Sequence, residues 1–372
     1  MIINSIYADG YKNLCGADIS ADPKMNVFCG DNAQGKTNLI EAVWLMTGCR
    51  SFRGTRDRDF IGFEKEKADI RVSFTDCFRS QKIEFSVKKQ NIKDKQITLN
   101  GVKLPLLSRL FGNLKCVVFT PEDLSLTKGS PDNRRSFTDL SVSQIKPSFV
   151  YALNKYDKLL FQRNALLKDI AYGNGDPSQL EMWDVQLAKT GAYISVIRNT
   201  YCNNLNNYTN SLYNKITDGS EEMSLCYHST VYREITDDVE ELEKIYLKRL
   251  CSAAADDIKA GFTTAGIHRD DVNVFINGLS VREFGSQGQQ RSAALVMKIA
   301  QAKIIADQTG DAPVMLLDDI LSELDDKRQR FVLENIEGIQ VFITCCDRRI
   351  LYGTPAKLFS VSAGRISETD KR

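Results

Sequence analysis

Residues 30–37 read Gly-Asp-Asn-Ala-Gln-Gly-Lys-Thr, the spacing G-x-x-x-x-G-K-[ST] of a loop that holds a phosphate chain. Each residue type has its own task. Gly30 and Gly35 let the backbone curl tightly, so that the N–H groups around Asp31, Asn32, Ala33 and Gln34 turn inward toward an anion. Lys36 is spaced to reach the β- and γ-phosphates, and the Thr37 hydroxyl to ligate Mg²⁺. Asn38 follows at the start of a helix whose N-terminus faces the same anion.

Such a loop needs a distant acidic partner. Val314-Met-Leu-Leu-Asp318 is four apolar residues ending in aspartate, placed to hold Mg²⁺ directly or through water. Asp319 comes next and is the candidate to polarise an attacking water. Between the two lies Ser286-Gln-Gly-Gln-Gln290, a serine and glycine at the start of an apolar helix, which forms an anion site of its own. The first loop already cradles one phosphate chain, so the Ser286 helix end is read as serving a nucleotide held by a second subunit.

The elements that position these residues follow from the patterning. Lys24-Met-Asn-Val-Phe-Cys29 reads as a buried strand before the loop, and Asn38-Leu-Ile-Glu-Ala-Val-Trp-Leu-Met46 has apolar residues at helical spacing after it. Segments 69–74 and 82–87 alternate polar and apolar, and 95–102 ends in the hairpin signal Asn100-Gly101, which predicts an antiparallel sheet beside the loop. From Asp132 to Tyr172, Gln179 to Ile216 and Asp238 to Lys259 the pattern is helical, with modest helices and no sustained heptads. After Gly261 the α/β texture returns. Asp271–Ile276 runs into a second Asn-Gly turn, Ser286 opens a helix to about Asp307, and Pro313–Asp319 and Gln340–Thr344 read as parallel strands.

Composition sets outer limits. At 372 residues the chain can bury a large core in two domains. Charged residues are 26% and hydrophobic ones 42%, and the net charge is +1, so any nucleic-acid surface must be a local patch. The sequence shows neither a run near 18 apolar residues nor a signal peptide, which indicates a cytoplasmic protein without a membrane partner. The ten cysteines are scattered without a Cys-x-x-Cys pair; Cys29, Cys345 and Cys346 are read as reduced thiols. Arg50, Arg53, Arg56 and Arg58 fall within nine residues just after the loop helix. They suit phosphate contacts to DNA, or form a solvated loop partly neutralised by Asp57 and Asp59.

The constellation resembles ATP-binding-cassette ATPases. Ser286-Gln-Gly-Gln, with Gly288 and Gln289, looks like their signature motif, and Ser322-Glu-Leu-Asp325 resembles their D-loop, in the same chain order. The place where transporter subunits carry a histidine reads Thr344-Cys345-Cys346-Asp347, which points to the chromosome-maintenance and repair branch. Over nearly its full length the chain resembles the RecF family of bacterial recombination mediators. Asp9-Gly-Tyr-Lys-Asn13, the phosphate loop, Phe119-Thr-Pro-Glu-Asp-Leu124, Gly129-Ser-Pro-Asp-Asn-Arg-Arg135, Gly266-Ile-His-Arg-Asp-Asp271, the Ser286 motif and Leu316–Asp325 carry the likeness. Tyr11 and Ile267 depart from the usual phenylalanine and proline.

The resemblance implies an α/β fold: a cassette-type ATPase domain from both chain ends, 1–128 and 261–372, around an inserted, mainly helical lobe, 129–260. It also implies binding of ATP with Mg²⁺, slow hydrolysis, an ATP-dependent homodimer, engagement of gapped or junction DNA at the nucleoid, and cooperation with RecR and RecO to load RecA in repair and replication restart. Lys36, Asp318, Asp319 and Ser286 would carry the chemistry. Arg134 and Arg135 are expected at a domain interface, and Arg269 either in a pairing with a nearby carboxylate or at a DNA contact. A cassette subunit of a transport or defence complex, without its own DNA recognition, is the alternative.

Overall fold

The computed structural model describes residues 1–347 and 355–369. The chain forms two compact units, Met1–Ser125 with Ala294–Arg372, and Leu126–Ala293.

The first unit holds two six-stranded sheets. One runs, in spatial order, Arg365–Thr369, Lys357–Ser362, Met25–Cys29, Val341–Cys345, Val314–Asp318, Cys116–Phe119. Its other five strands are parallel, and Arg365–Thr369 forms an antiparallel hairpin with Lys357–Ser362. Val314–Asp318 and Val341–Cys345 are buried at every position. That burial explains why the sequence shows unbroken apolar runs: a parallel sheet is covered on both faces. Because the strands are parallel, Cys29, Asp318 and Cys345 end on one edge, where open α/β sheets bind ligands. The helix Lys36–Leu45, almost wholly buried, begins at that edge.

The other sheet is antiparallel, in the order Ala17–Ser20, Ile2–Asp9, Lys67–Thr75, Ser80–Lys88, Asn91–Leu99, Val102–Leu104. Alternation does its work here: Ile70, Val72 and Phe74 are buried while their neighbours Arg71, Ser73 and Thr75 are not. Asn100 and Gly101 both have positive φ, 52° and 81°, as the Asn-Gly hairpin signal predicts.

The second unit contains the helices Pro131–Ile145, Ser148–Ala171, Leu180–Ile216 and Val239–Ala260. The predicted helical stretch from Asp132 is broken at Lys146-Pro147, where a proline cannot continue the backbone ladder. Leu180–Ile216 has 37 residues, about 55 Å at helical rise, and matches the helical stretch read from Gln179 to Ile216. Three strands complete the unit: Leu279–Ser280, Asp271–Ile276 and Met223–His228. Asp271–Ile276 takes its hydrogen bonds from Met223–His228, so residues 261–293 fold with the inserted unit. The second boundary therefore lies at 293/294 rather than at 260/261. That boundary falls within the helix Gln287–Thr309.

Two arginines lock the entry to this unit. Arg134 makes a bidentate pair with Asp271, both arms 2.7 Å, and Arg135 donates to the Asp270 carbonyl at 2.5 Å. His268 bridges the Tyr156 hydroxyl (2.9 Å) and the Thr263 carbonyl (3.1 Å), while Arg269 packs over the Phe262 ring. Arg269 is thus seen against an aromatic face where a carboxylate is expected. The His268-Arg-Asp-Asp271 segment is a structural knot within one unit.

Candidate nucleotide site

The phosphate loop connects the strand Met25–Cys29 to the helix Lys36–Leu45. Its glycines are required by space. A Cβ on Gly30 would sit 2.2 Å from the Val361 carbonyl oxygen. One on Gly35, where φ is +114°, would sit 2.8 Å from Asn13 Oδ1. Ala33 also takes positive φ, at 65°. The loop is buttressed from outside. Asn13 Nδ2 donates to the Ala33 carbonyl at 3.2 Å, Asn38 Nδ2 donates to Asn13 Oδ1 at 2.7 Å, and the Ala363 amide donates to Gln34 Oε1 at 2.6 Å.

Lys36 is 6% exposed, and its ammonium is held inside the loop. It donates to the carbonyls of Gly30 (2.5 Å) and Asp31 (3.0 Å) and lies 3.2 Å from Cys346 Sγ. Cys346 Sγ is also 3.1 Å from Asn32 Oδ1. Beneath, Cys29 and Cys345 face each other in register, sulfur to sulfur 3.1 Å. The hydrogen bond with Cys29, and then burial, push the Cys345 thiol well up, so this pair is protonated packing. Among the described residues no cysteine is in a disulfide and no cluster suited to a metal is formed by His, Cys, Asp and Glu.

The phosphate loop and the acidic strand meet directly. Thr37 Oγ1 donates to Asp318 Oδ1 at 3.0 Å, and Thr344 Oγ1 donates to the same oxygen at 2.7 Å. Burial raises the Asp318 carboxyl; the hydrogen bonds from Thr344 and Thr37 work against that rise. The Thr344 hydroxyl also accepts from the Asp319 amide at 2.9 Å. It fixes where the chain turns out of the sheet, and Asp319 itself has φ 53°. Ser322 Oγ donates to the Asp319 carbonyl at 2.7 Å, and Asp325 caps the helix Asp326–Asn335 by accepting from the Arg328 amide at 2.9 Å. Thr37 and Asp318 present hard oxygen donors side by side, the donor set Mg²⁺ takes.

A cleft of about 1080 Å³ opens over the loop, lined by Asn32–Asn38, Asp319, Arg53, Arg58 and the segment Ile61–Lys65. Of the four arginines, Arg53 donates to Asn38 Oδ1 at 3.0 Å and Arg58 lies near Asp59, both at the cleft. Arg50 and Arg56 are exposed and do not line it.

The anchor of the arginine segment is Glu41, fully buried in the helix after the loop. It pairs with Lys12 and accepts from Ser51 and from Thr55 (3.1 Å). Neither Glu41 nor Thr344 is flagged by motif spacing. A lone acid inside an apolar helix was the available signal for Glu41; for Thr344 there was none beyond its place at a strand end.

Ser286 lies in the second unit. Its Oγ accepts from the Gln289 amide at 3.2 Å, and Gln289 Oε1 accepts from the Ser286 amide at 2.9 Å, a reciprocal capping box.

Loop, acidic strand and sheet order define a P-loop nucleotide-binding head of the α/β class. The family model for the RecF/RecN/SMC N terminal domain matches residues 2–367. The chain is 38% identical to the DNA replication and repair protein RecF of Alkaliphilus oremlandii, over 92% of this chain and 93% of that one. It is 37% identical to that of Clostridium acetobutylicum, over 99% and 100%. It superposes on the solved recombination mediator protein RecF-ATPrS with a TM-score of 0.92 at 33% identity, covering 99% of this chain and 98% of that one. With the Smc head domain from Pyrococcus furiosus it shares the fold, with a TM-score of 0.56 at 15% identity. The chain belongs to the RecF family. Among the described residues no helix is long and apolar enough to cross a membrane.

Proposed function

We propose that this protein binds and slowly hydrolyses ATP, dimerises around it, and in that state engages gapped or junction DNA in recombinational repair and replication restart, acting with RecO and RecR on RecA loading. The observation that carries the reading is the meeting of Thr37 and Asp318 beside a glycine loop with no room for a side chain at Gly30. That geometry is what a magnesium nucleotide needs, and a relative at 33% identity is described in complex with ATP. When bound, Mg²⁺ neutralises charge developing between the β- and γ-phosphates.

The protein's own residues supply the rest. Lys36 exchanges its carbonyl partners Gly30 and Asp31 for phosphate oxygens, so its charge-assisted contacts favour the bound nucleotide. Asp319, held at the rim by Thr344 and Ser322, orients the attacking water. Ser286 spends its oxygen lone pair on Gln289 and keeps its own proton to donate, which suits a γ-phosphate of a second subunit. The nucleotide lobe is then the first unit, and the second unit carries the signature serine to the partner. DNA is assigned to the exposed arginines Arg50 and Arg56, with Arg53 and Arg58 turned to the nucleotide.

Binding to gapped DNA at several salt concentrations, with and without ATP, tests the whole reading. Affinity is expected to need ATP and to fall steeply with salt. Arg50→Glu with Arg56→Glu should reduce the salt slope by roughly two. ATP-independent binding with an unchanged slope contradicts both the nucleotide coupling and the arginine assignment.

A further inference from the structure

The signature serine is held by a relay that reaches outside every motif. Gln289 uses its carbonyl and amide N–H in the reciprocal cap with Ser286. Its side-chain NH₂ donates to Glu221 Oε1 at 2.7 Å. The other Glu221 oxygen accepts from the Tyr213 hydroxyl at 2.9 Å, and Tyr213 is a fully buried residue in the last turn of the helix Leu180–Ile216. Glu221 is itself fixed from both sides. Its carbonyl accepts from Thr217 Oγ1 at 3.4 Å, and the next residue, Glu222, exchanges two hydrogen bonds with Asn277 in the Asn-Gly turn, 2.9 and 2.8 Å. All four side chains of the relay lie in the second unit.

We propose that Glu221 is a positioning residue for the signature motif: it orients the Gln289 side chain, and through Gln289 Oε1 on the Ser286 amide it holds the helix start from which Ser286 offers its proton to a γ-phosphate. The inference rests on the trans-site reading of Ser286. A helix N-terminus whose serine can turn away is a poor donor site, because an exposed hydroxyl rotates freely unless its oxygen is pinned. The Gln289 backbone amide pins Ser286 Oγ, and the other half of the cap, Gln289 Oε1 on the Ser286 amide, depends on the orientation of the Gln289 side chain. The Glu221 carboxylate supplies that orientation with a charge-assisted acceptor. The relay also gives the long helix a direct line to Ser286: a shift of its last turn moves Tyr213, then Glu221, then Gln289.

The test compares wild type, Glu221→Ala, Glu221→Gln, Tyr213→Phe and Ser286→Arg. It reads ATP affinity of the dilute monomer, sedimentation with ATP, and turnover. Glu221→Ala is expected to leave monomer ATP affinity within about twofold while weakening ATP-dependent dimerisation and kcat by about tenfold, the loss of one hydrogen bond to a charged group. Glu221→Gln keeps an acceptor in the same place and should recover most of both, which a merely structural acid would not show. Tyr213→Phe should shift both in the same direction by a smaller factor, and it guards against a folding defect in Glu221→Ala. If Glu221→Ala folds, dimerises and turns over like wild type while Ser286→Arg does not dimerise, the relay is wrong and the trans-site stands. If Ser286→Arg dimerises like wild type, the trans-site itself fails and the relay with it.

Discussion

Asp319 and Asp318 are neighbours with opposite surroundings, and their proposed duties are opposite. Asp318 is buried and receives two threonine hydroxyls, so it can hold position but cannot reach out. Asp319 is half-buried, turned out of the sheet by its positive φ, and lines the cleft beside Lys36 and Thr37. Its side chain is one methylene shorter than the glutamate that fast cassette ATPases place there, so it orients water less well and hydrolysis is expected to be slow. Asp319→Asn should keep ATP affinity, lower turnover by about a hundredfold, and prolong the ATP-bound dimer. Asp318→Asn should instead weaken nucleotide binding when Mg²⁺ is present and have little effect when it is chelated. Single-turnover hydrolysis with labelled ATP separates the two; unchanged turnover in Asp319→Asn removes it from the catalytic role.

At the scale of elements, the sequence was most legible where period and backbone chemistry agreed. The glycine loop, the Asp318 strand, the Asn100-Gly101 hairpin and the helix from Ser286 all carry a local requirement that no tertiary contact overrides. The partner of Asp271–Ile276 was not legible. Alternation announces a strand but never names the strand it pairs with, and the partners in Met223–His228 lie 43 residues or more away in the chain. The same holds for the clamp on the phosphate loop: Val361 and Ala363 approach it through backbone atoms, which leave no trace in residue type. Buried polar knots were equally hidden.

One of those knots has a measurable consequence. Burial, the largest effect, pushes the His268 imidazole down to about 4, and the nearby Arg269, Arg135 and Arg163 charges add to it, against the Thr263 carbonyl. The ring is packed by Tyr156, whose hydroxyl also bonds Tyr246, and Asp270 lies two residues on. Neutral His268 therefore stabilises the fold above its unfolded value near 6.5, and that contribution is lost as pH falls toward about 4, because the unfolded chain takes the proton first. Burial raises Asp270, which acts with the opposite sign at the acid end, so the His268 part is read from the difference between wild type and a His268 variant. Urea unfolding across this range should show stability falling by on the order of a few kcal/mol in wild type and a flatter profile in His268→Gln. Equal slopes in the two proteins exclude His268 as the source.

For the whole molecule, the division of labour between units is the decisive feature. Lys36, Thr37, Asp318 and Asp319 belong to the first unit, and Ser286, Gly288 and Gln289 to the second. Two copies related by a two-fold axis would bring each Ser286 to the other's nucleotide, giving two shared sites in one isologous interface. In the proposed dimer ATP would stabilise the assembly by mass action and hydrolysis would release it, which would make DNA engagement a timed event. Sedimentation velocity of wild type and Ser286→Arg, each with ATP, with ADP and without nucleotide, tests this most directly. Wild type should dimerise with ATP alone, since ADP lacks the γ-phosphate that Ser286 contacts, and Ser286→Arg should stay monomeric in all three. A Ser286→Arg dimer as abundant as wild type with ATP, or a wild-type dimer indifferent to nucleotide, would contradict the shared-site account.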